Sequence, residues 1–503
     1  MKIRTIIIIC MVAFCSLSGW GQMTWYLTKT MTATLENNVL TVSTSLDAEK
    51  MSDYDWSGEI WSGRSAEIHS VVIKNGITDI FGWAFAHTPN LKAVTIGGTV
   101  EYIGGYAFYN CGSLESVQLS EGLLDLGQAS FKFCPSLKTL DIPASVTSLG
   151  TELGVGCTQL EAINVHADNL FFSSEDGIVY NRDKTTLIRF PEGKSADKFD
   201  IPGTVKIIES IAFYCSLIEN ISIPNSVEEM RDGSFLACNN LKSITIPQSV
   251  KTIGAGVFGN CKNLTSIQVH AGNADFTSED DILYNKDKSI LHSFAPGKTG
   301  DFIVPSFVTT IHNAAFFGSA GLTSITIPNT LTEIGGSAFL ECTSLTSITI
   351  PYSVKKLGSY VLSVCTGLKE ITVQWKIPLS INSETFRNLE ISEITLYVPD
   401  GTIEAYQDAD FWNMFGEIVE YEYDFSSNEK AESQTLKAFT SNGNLYLSGL
   451  NPGNPLHIYN FTGQLIYKGI VKSEEEQIPL TSNGIYIVVV GEQSVKVLNY
   501  GNF

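Results

Sequence analysis

Apolar residues return along most of the chain in a 23-residue frame. Leu322 to Ser344 reads LTSITIPNTLTEIGGSAFLECTS, and Leu345 to Gly367 reads LTSITIPYSVKKLGSYVLSVCTG. Apolar side chains hold positions 1, 4, 6, 10, 13 and 18, with Pro at 7, Gly at 14 and Cys at 21. The alternation in Leu322 to Ile327 predicts a strand, with Ile325 and Ile327 facing inward and Ser324 and Thr326 outward. Pro328 lacks an amide proton and closes the strand. Ile334-Gly335 is expected to turn the chain, and Ala338-Phe339 to return it with Phe339 in the core. Such a unit buries its apolar side only by stacking on copies of itself.

Units begin at 68, 91, 114, 137 and 160, resume at 218, 241 and 264, and resume again at 322, 345 and 368. Each 58-residue gap holds one more coil, marked by Ile201-Pro202 or Val304-Pro305, and a 12- or 13-residue insertion. The insertions read FFSSEDGIVYNRDKTTLIRF and DFTSEDDILYNKDKSILHSF, β-rich runs around a polar turn, and each predicts a hairpin. Block 160–263 thus recurs as 264–367 with a 104-residue superperiod. The expected stack has about 13 coils, a partial one from Ile391, and one continuous parallel sheet.

The ends lack the frame. Residues 22–67 carry Trp25, Trp56, Trp61 and the alternating run Val39 to Ser43, and predict an N-terminal β cap over the first coil. The solenoid is expected over 68–420, closing with a short helix at Thr402 to Gln407 and a cover of Phe411, Trp412 and Phe415. Residues 421–440 are polar and acidic and read as a linker. Residues 441–503 hold short strands divided by Asn451-Pro452-Gly453, Thr462-Gly463 and Asn483-Gly484, a small β-sandwich.

The repeated LxxIxIPxxVxxIGxxAFxxC frame, over roughly 68–399, resembles the BspA-like leucine-rich repeat family of bacterial surface proteins. That resemblance implies a right-handed β-rich superhelix and adhesion to host or neighbouring cells. Two units depart from it: Gly154 stands where Phe is expected, and Phe213 to Cys215 is one residue short. The runs IYNFTGQLIYKG and NGIYIVVV, with Lys496-Val497, resemble the sorting domain of the type IX secretion route. This second resemblance implies export or surface attachment; the tail Asn499 to Phe503 departs from it, and an accessory β-sandwich is the other reading.

Charge narrows the partners. The 503 residues carry 32 basic and 53 acidic side chains, a formal net charge of −21, which argues against nucleic acid and anionic membrane. Lys2, Arg4 and the apolar run Thr5 to Leu17 predict a signal peptide over 1–21. After it, no stretch approaches the ~18 apolar residues of a membrane helix.

Candidate chemistry is sparse. Beyond Cys10 and Cys15, eight cysteines follow the frame and are expected at position 21, a slot shared with Thr88, Ser319 and Asn388. A small, partly polar slot predicts a ladder of buried free thiols; stacking leaves disulfides open by distance. His166 and His270 fill one slot of two units and read as structural. Glu175-Asp176 and Glu279-Asp280-Asp281 lack the spacing of a calcium loop. No zinc-protease, phosphate-loop, dinucleotide or nucleophile-elbow motif occurs, so neither enzymatic activity nor a cofactor or metal is expected. The outward position 5 supplies the candidate interaction face: Thr95, Gln118, Asp141, Asn164, Ser222, Thr245, Gln268, Thr326, Thr349 and Thr372. The row lacks the Trp, Tyr and Arg anchors that usually dominate protein hot spots; a scaffold, exported to the surface or secreted, for an extracellular protein ligand is what the BspA-like resemblance implies. Glycan capture is the alternative.

Overall fold

The computed structural model describes residues 22–51, 61, 63–423, 436–441, 444–450, 453–473, 475–480, 484–490 and 493–499. They fall into two compact units, residues 1–420 and 421–503. The expected signal peptide and Trp56 lie outside the described residues.

Most coils of the first unit carry three kinds of hydrogen-bonded edge. A broad strand occupies positions 3–6; Ser347–Ile350, for example, pairs in parallel with Glu370–Val373. A second, two-residue strand follows at positions 12 and 13, as where Glu333–Ile334 pairs with Lys356–Leu357. Ile334, expected in a turn, is therefore half of a strand. Two extended residues suffice to exchange ladder bonds, and so short an element leaves no periodicity to read. The return segment makes the third ladder: Phe316 N–H donates to the Ala338 carbonyl at 2.8 Å, and Phe339 N–H to Val361 at 2.9 Å. Left-handed residues at positions 16 and 20 bracket this segment, as at Trp83 (φ 65°) and His87 (φ 56°). Such conformations cost about 1 kcal/mol or more for a non-glycine residue, and the ladder bonds on either side hold them.

The inward set is buried as predicted. Leu322, Leu331, Ile334 and Phe339 are each at most 1% exposed. The position-18 rings stack along the solenoid, Phe85 on Phe108 and Phe108 on Phe131, both at 5.3 Å. Two further runs join Phe190, Phe213, Phe235 and Phe258, then Phe294, Phe316 and Phe339. The first run ends where Gly154 replaces Phe. Leu153 and Val155 fill the core beside it, while Gly154 itself turns left-handed (φ 67°).

The strands do not form the single continuous sheet expected. The narrow ladder is cut into three at the two insertions, and the broad ladder is cut more often. Each insertion is a three-stranded antiparallel meander, not a lone hairpin: Phe172–Glu175, Ile178–Asn181 and Thr186–Arg189 in the first. Its third strand joins the narrow ladder at Ile207–Ile208. The second repeats this with Phe276–Glu279, Ile282–Asn285 and Ile290–Ser293.

The middle strand lies within the stack. Val179 packs into the core of the preceding coils, while Ile178 and Tyr180 pack into that of the following ones. Leu283 divides from Ile282 and Tyr284 in the same way. Strand alternation thus makes each insertion a wall between two cores. A buried Asn pegs each wall. Asn169 Nδ2 donates to the carbonyls of Pro143 and Val146 at 3.0 and 2.8 Å, and its Oδ1 accepts the Phe171 and Phe172 N–H groups. Asn273 repeats the pattern on Pro247 and Val250.

Both ends of the solenoid carry covering segments. Met23–Tyr26, Met31–Glu36 and Val39–Thr44 form a meander whose last strand pairs in parallel with Ser70–Ile73. Trp61 stacks on Phe85 at 5.8 Å and donates to the Ala84 carbonyl at 2.7 Å. At the other end Ile403–Gln407 is helical, and buried Trp412 donates to the Leu379 carbonyl at 2.8 Å. Phe415 is buried beside it, whereas Phe411 is only half-buried.

The second unit contains a three-stranded and a four-stranded sheet around Leu445, Ile458, Tyr486 and Val488. Lys437–Ser441, placed in the expected linker, is a strand paired with Asn444–Ser448. The unit therefore begins earlier than the linker reading allowed. Among the described residues of the chain, no helix is long and apolar enough to cross a membrane.

Candidate functional site

The broad strands put the predicted face in register. Thr95 stands beside Gln118, Asp141 beside Asn164, Thr245 beside Gln268, and Thr349 beside Thr372. Nine of the ten predicted residues, including Ser222 and Thr326, are exposed; Thr372 is half-buried. Asn164 Nδ2 donates to Asp141 Oδ1 at 2.8 Å across two coils.

The coils inside the gaps add residues that the frame search passed over. Lys198 and Asp200 pair with Asn220 and Ser222, and Asp301 and Ile303 with Ser324 and Thr326. The face is thus less uniform than its other coils suggest. Lys198 holds the Asp200 carboxyl below the usual range, and the Ser324 and Thr323 hydroxyls do the same for Asp301. Ile303 is 71% exposed, an isolated aliphatic knob on a polar surface. Reading backward from Ile201-Pro202 and Val304-Pro305 in the frame would have located all four.

A second feature lies on the return side of the first three coils. Trp83 and Tyr106 stack at 4.5 Å and 7° between planes. Tyr109 tilts against Trp83 at 5.2 Å, and Phe133 meets Tyr109 edge-on at 5.5 Å. The Lys132 ammonium, paired with Glu152, lies over the Phe133 ring at 5.3 Å. These aromatics occupy positions 16, 19 and 20, outside the apolar frame, so sequence reading saw no cluster. Stacking along the solenoid makes them neighbours.

The first insertion borders a third feature, an open polar hollow beside the broad strand Ala162–Val165. Its acidic turn is tied to lysines, Glu175 to Lys184 at 2.6 Å and Asp176 to Lys194 at 2.9 Å. The histidines of the repeated slot are structural: His166 Nδ1 and His270 Nδ1 each accept the backbone N–H two residues on.

The eight cysteines are free thiols. Seven donate to the carbonyl of the position-18 residue in a preceding coil, as Cys261 Sγ does to Phe235 O at 3.0 Å. Burial pushes the Cys365 thiol up to about 12, so it stays protonated at neutral pH. The eighth departs from the prediction. Cys215 sits at the left-handed position 20 (φ 54°), and buried Ser216 fills the expected slot. The missing residue after Phe213 moved the cysteine one place out of the core.

The comparisons agree with this geometry. The BspA type leucine rich repeat region matches residues 63–175, 189–286 and 292–413. The chain belongs to the BspA-type leucine-rich repeat family. A leucine-rich repeat protein from Eubacterium ventriosum is 26% identical with a TM-score of 0.50, over 69% of this chain and 95% of its own. A leucine rich cell surface protein from Faecalibacterium prausnitzii is 22% identical at TM-score 0.42, over 80% and 96%. A leucine-rich repeat protein from Bacteroides ovatus is 22% identical at 0.32, over 79% and 100%. Residues 425–499 match a domain of unknown function. No curated protein matches the chain.

Proposed function

We propose that this BspA-type chain is an exported scaffold that binds an extracellular protein of a host or neighbouring cell on its broad strand face. The observation that carries the reading is the row of exposed position-5 side chains, in register from coil to coil and left free by packing. Small hydroxyls and amides offer many weak hydrogen bonds, and Ile303 supplies one apolar anchor within the row, beside Thr326. Export rests on the amino-terminal signal pattern. The second unit serves as the address or attachment, in keeping with its position after the capped solenoid.

The aromatic cluster supports a second reading, in which the partner grips the return side. Trp and Tyr are the side chains most often found to dominate binding energy. Binding of the purified chain to a panel of host matrix proteins separates the two. Thr245→Arg with Thr326→Arg is expected to abolish binding and Trp83→Ala with Tyr109→Ala to spare it; the opposite pattern moves the site to the return side. No binding to any protein of the panel counts against both.

A further inference from the structure

The two insertions are copies, and the second serves as an internal control for the first. In the superperiod Gly177 corresponds to Asp281, Ala162 to Ser266, Asn164 to Gln268 and Glu161 to Thr265. At the second insertion Ser266 Oγ donates to Asp281 Oδ1 at 2.6 Å, and Gln268 Nε2 donates to the same oxygen. Lys298 Nζ reaches the Asp280 carbonyl at 2.5 Å. That corner is filled by the chain's own carboxylate.

At the first insertion Gly177 lies against Ala162, too close for a side chain: a Cβ would come within 2.5 Å of the alanine methyl. An open hollow of about 760 Å³ remains, bordered by Glu161, Asn164, Ser174, Asp176, Lys194 and Ser195. The neighbouring broad-strand N–H groups are already satisfied, Ile163 by the Gly177 carbonyl at 2.9 Å and Val165 by Ser174 Oγ at 2.8 Å. A peptide adding itself as a strand to this edge would find those two donors taken. What the hollow offers is side-chain chemistry: carboxylate acceptors, amide, hydroxyl and ammonium groups, with Ala162, Val165 and two glycines between them.

We propose that this hollow is a saccharide subsite for neutral or amino sugars. Hydroxyl-rich rings both donate and accept, and they match a lining that mixes acceptors and donors within hydrogen-bonding reach of one ligand. Small side chains between the polar groups leave room for the ring's carbon face. Two carboxylates against one ammonium, already paired with Asp176, exclude sugars that carry a carboxylate. The hollow shares one residue, Asn164, with the protein-binding row; its other groups lie outside that row, and the sugar readout tests it separately from protein binding.

The test is saturation-transfer NMR on the full chain with maltotriose, chitotriose and 3′-sialyllactose. Transfer to the first two and not the third is expected. Glu161→Ala with Asn164→Ala removes two exposed side chains and leaves the core intact. It is expected to weaken binding about tenfold or more, the scale of one to two hydrogen bonds. Thr265→Ala with Ser266→Ala at the second insertion is expected to leave affinity unchanged. The proposal is overturned if neither neutral sugar shows transfer, if both double variants lose affinity equally, if the first loses none, or if the sialylated sugar binds best. Transfer from an extended lysine-containing peptide, with none from sugars, would overturn it in favour of peptide capture.

Discussion

At the first insertion the Gly156 N–H finds no backbone carbonyl in the next coil; the Glu192 carboxylate accepts it at 2.8 Å. Arg189 holds that carboxylate at 2.9 Å and extends its other arm to the Ile211 carbonyl at 2.6 Å. At the second insertion the corresponding Asn260 N–H reaches past the inserted coil to the Phe317 carbonyl at 2.8 Å. The positions of Arg189 and Glu192 are there Ser293 and Pro296. Buried His292 instead donates Nε2–H to the Ile253 carbonyl at 2.9 Å, shares a hydrogen bond at Nδ1 with Ser293 Oγ at 3.2 Å, and stacks on His312 at 4.4 Å. One backbone problem, a ladder interrupted by a wall, thus has an ionic solution and a neutral one. Burial outweighs the attraction of Arg189 and lifts the Glu192 carboxyl above its ordinary range. Burial, with His312 adding to it, pushes His292 down to about 3. An ion pair lets the local ladder stay short, at the cost of desolvating two charges.

Removing one charge gives the largest expected effect. Arg189→Met strands Glu192 in the core and should cost about 3–5 kcal/mol in denaturant unfolding, while Arg189→Met with Glu192→Leu should recover most of it. Equal losses in single and double variants would mean that the pair stabilises the first seam beyond its own desolvation. The pegs should act alike at both seams: Asn169→Ala and Asn273→Ala each leave buried carbonyls and N–H groups without partners, a loss of about 3 kcal/mol. A large difference between them would show that one wall is held by something else.

The pH response should separate the seams. His292 is neutral in the folded chain and protonates near 6.5 when unfolded. Its contribution is therefore present above pH 6.5 and lost as pH falls toward 3, by roughly 3 kcal/mol at pH 4. His292→Ile, the residue at the same place in the first block, should flatten the melting temperature between pH 4 and 7. The thiol slot should matter least. Ser216 and Ser319 occupy it in the coils just after the walls, so Cys342→Ser should cost about 1 kcal/mol or less by thermal melting. Native-state labelling should mark Cys215 before the seven buried thiols.

The features legible in sequence were those with a period. The 23-residue frame, the inward residues and the position-5 row all follow from where apolar residues recur. What escaped has no period of its own. The narrow ladder uses two residues per coil. The aromatic cluster is assembled from variable positions 16, 19 and 20. Cys215 was placed by counting, and one missing residue moved it to a different environment. The insertions read as hairpins because their alternation is evident, but which core each face enters is decided by the coils on either side.

Those walls also bear on how the solenoid comes apart. With Val179 and Leu283 each facing one way and their neighbours the other, the apolar interior is divided into three parcels that meet only across single strands. Cooperativity in stacked repeats travels through contacts between neighbours, so a rupture begun in one parcel has a natural place to stop. Pulled from its ends, the solenoid would yield in steps, losing one parcel while the face on the others stays ordered. Partial and reversible yielding of that kind would leave the other parcels, and the coils they support, in place.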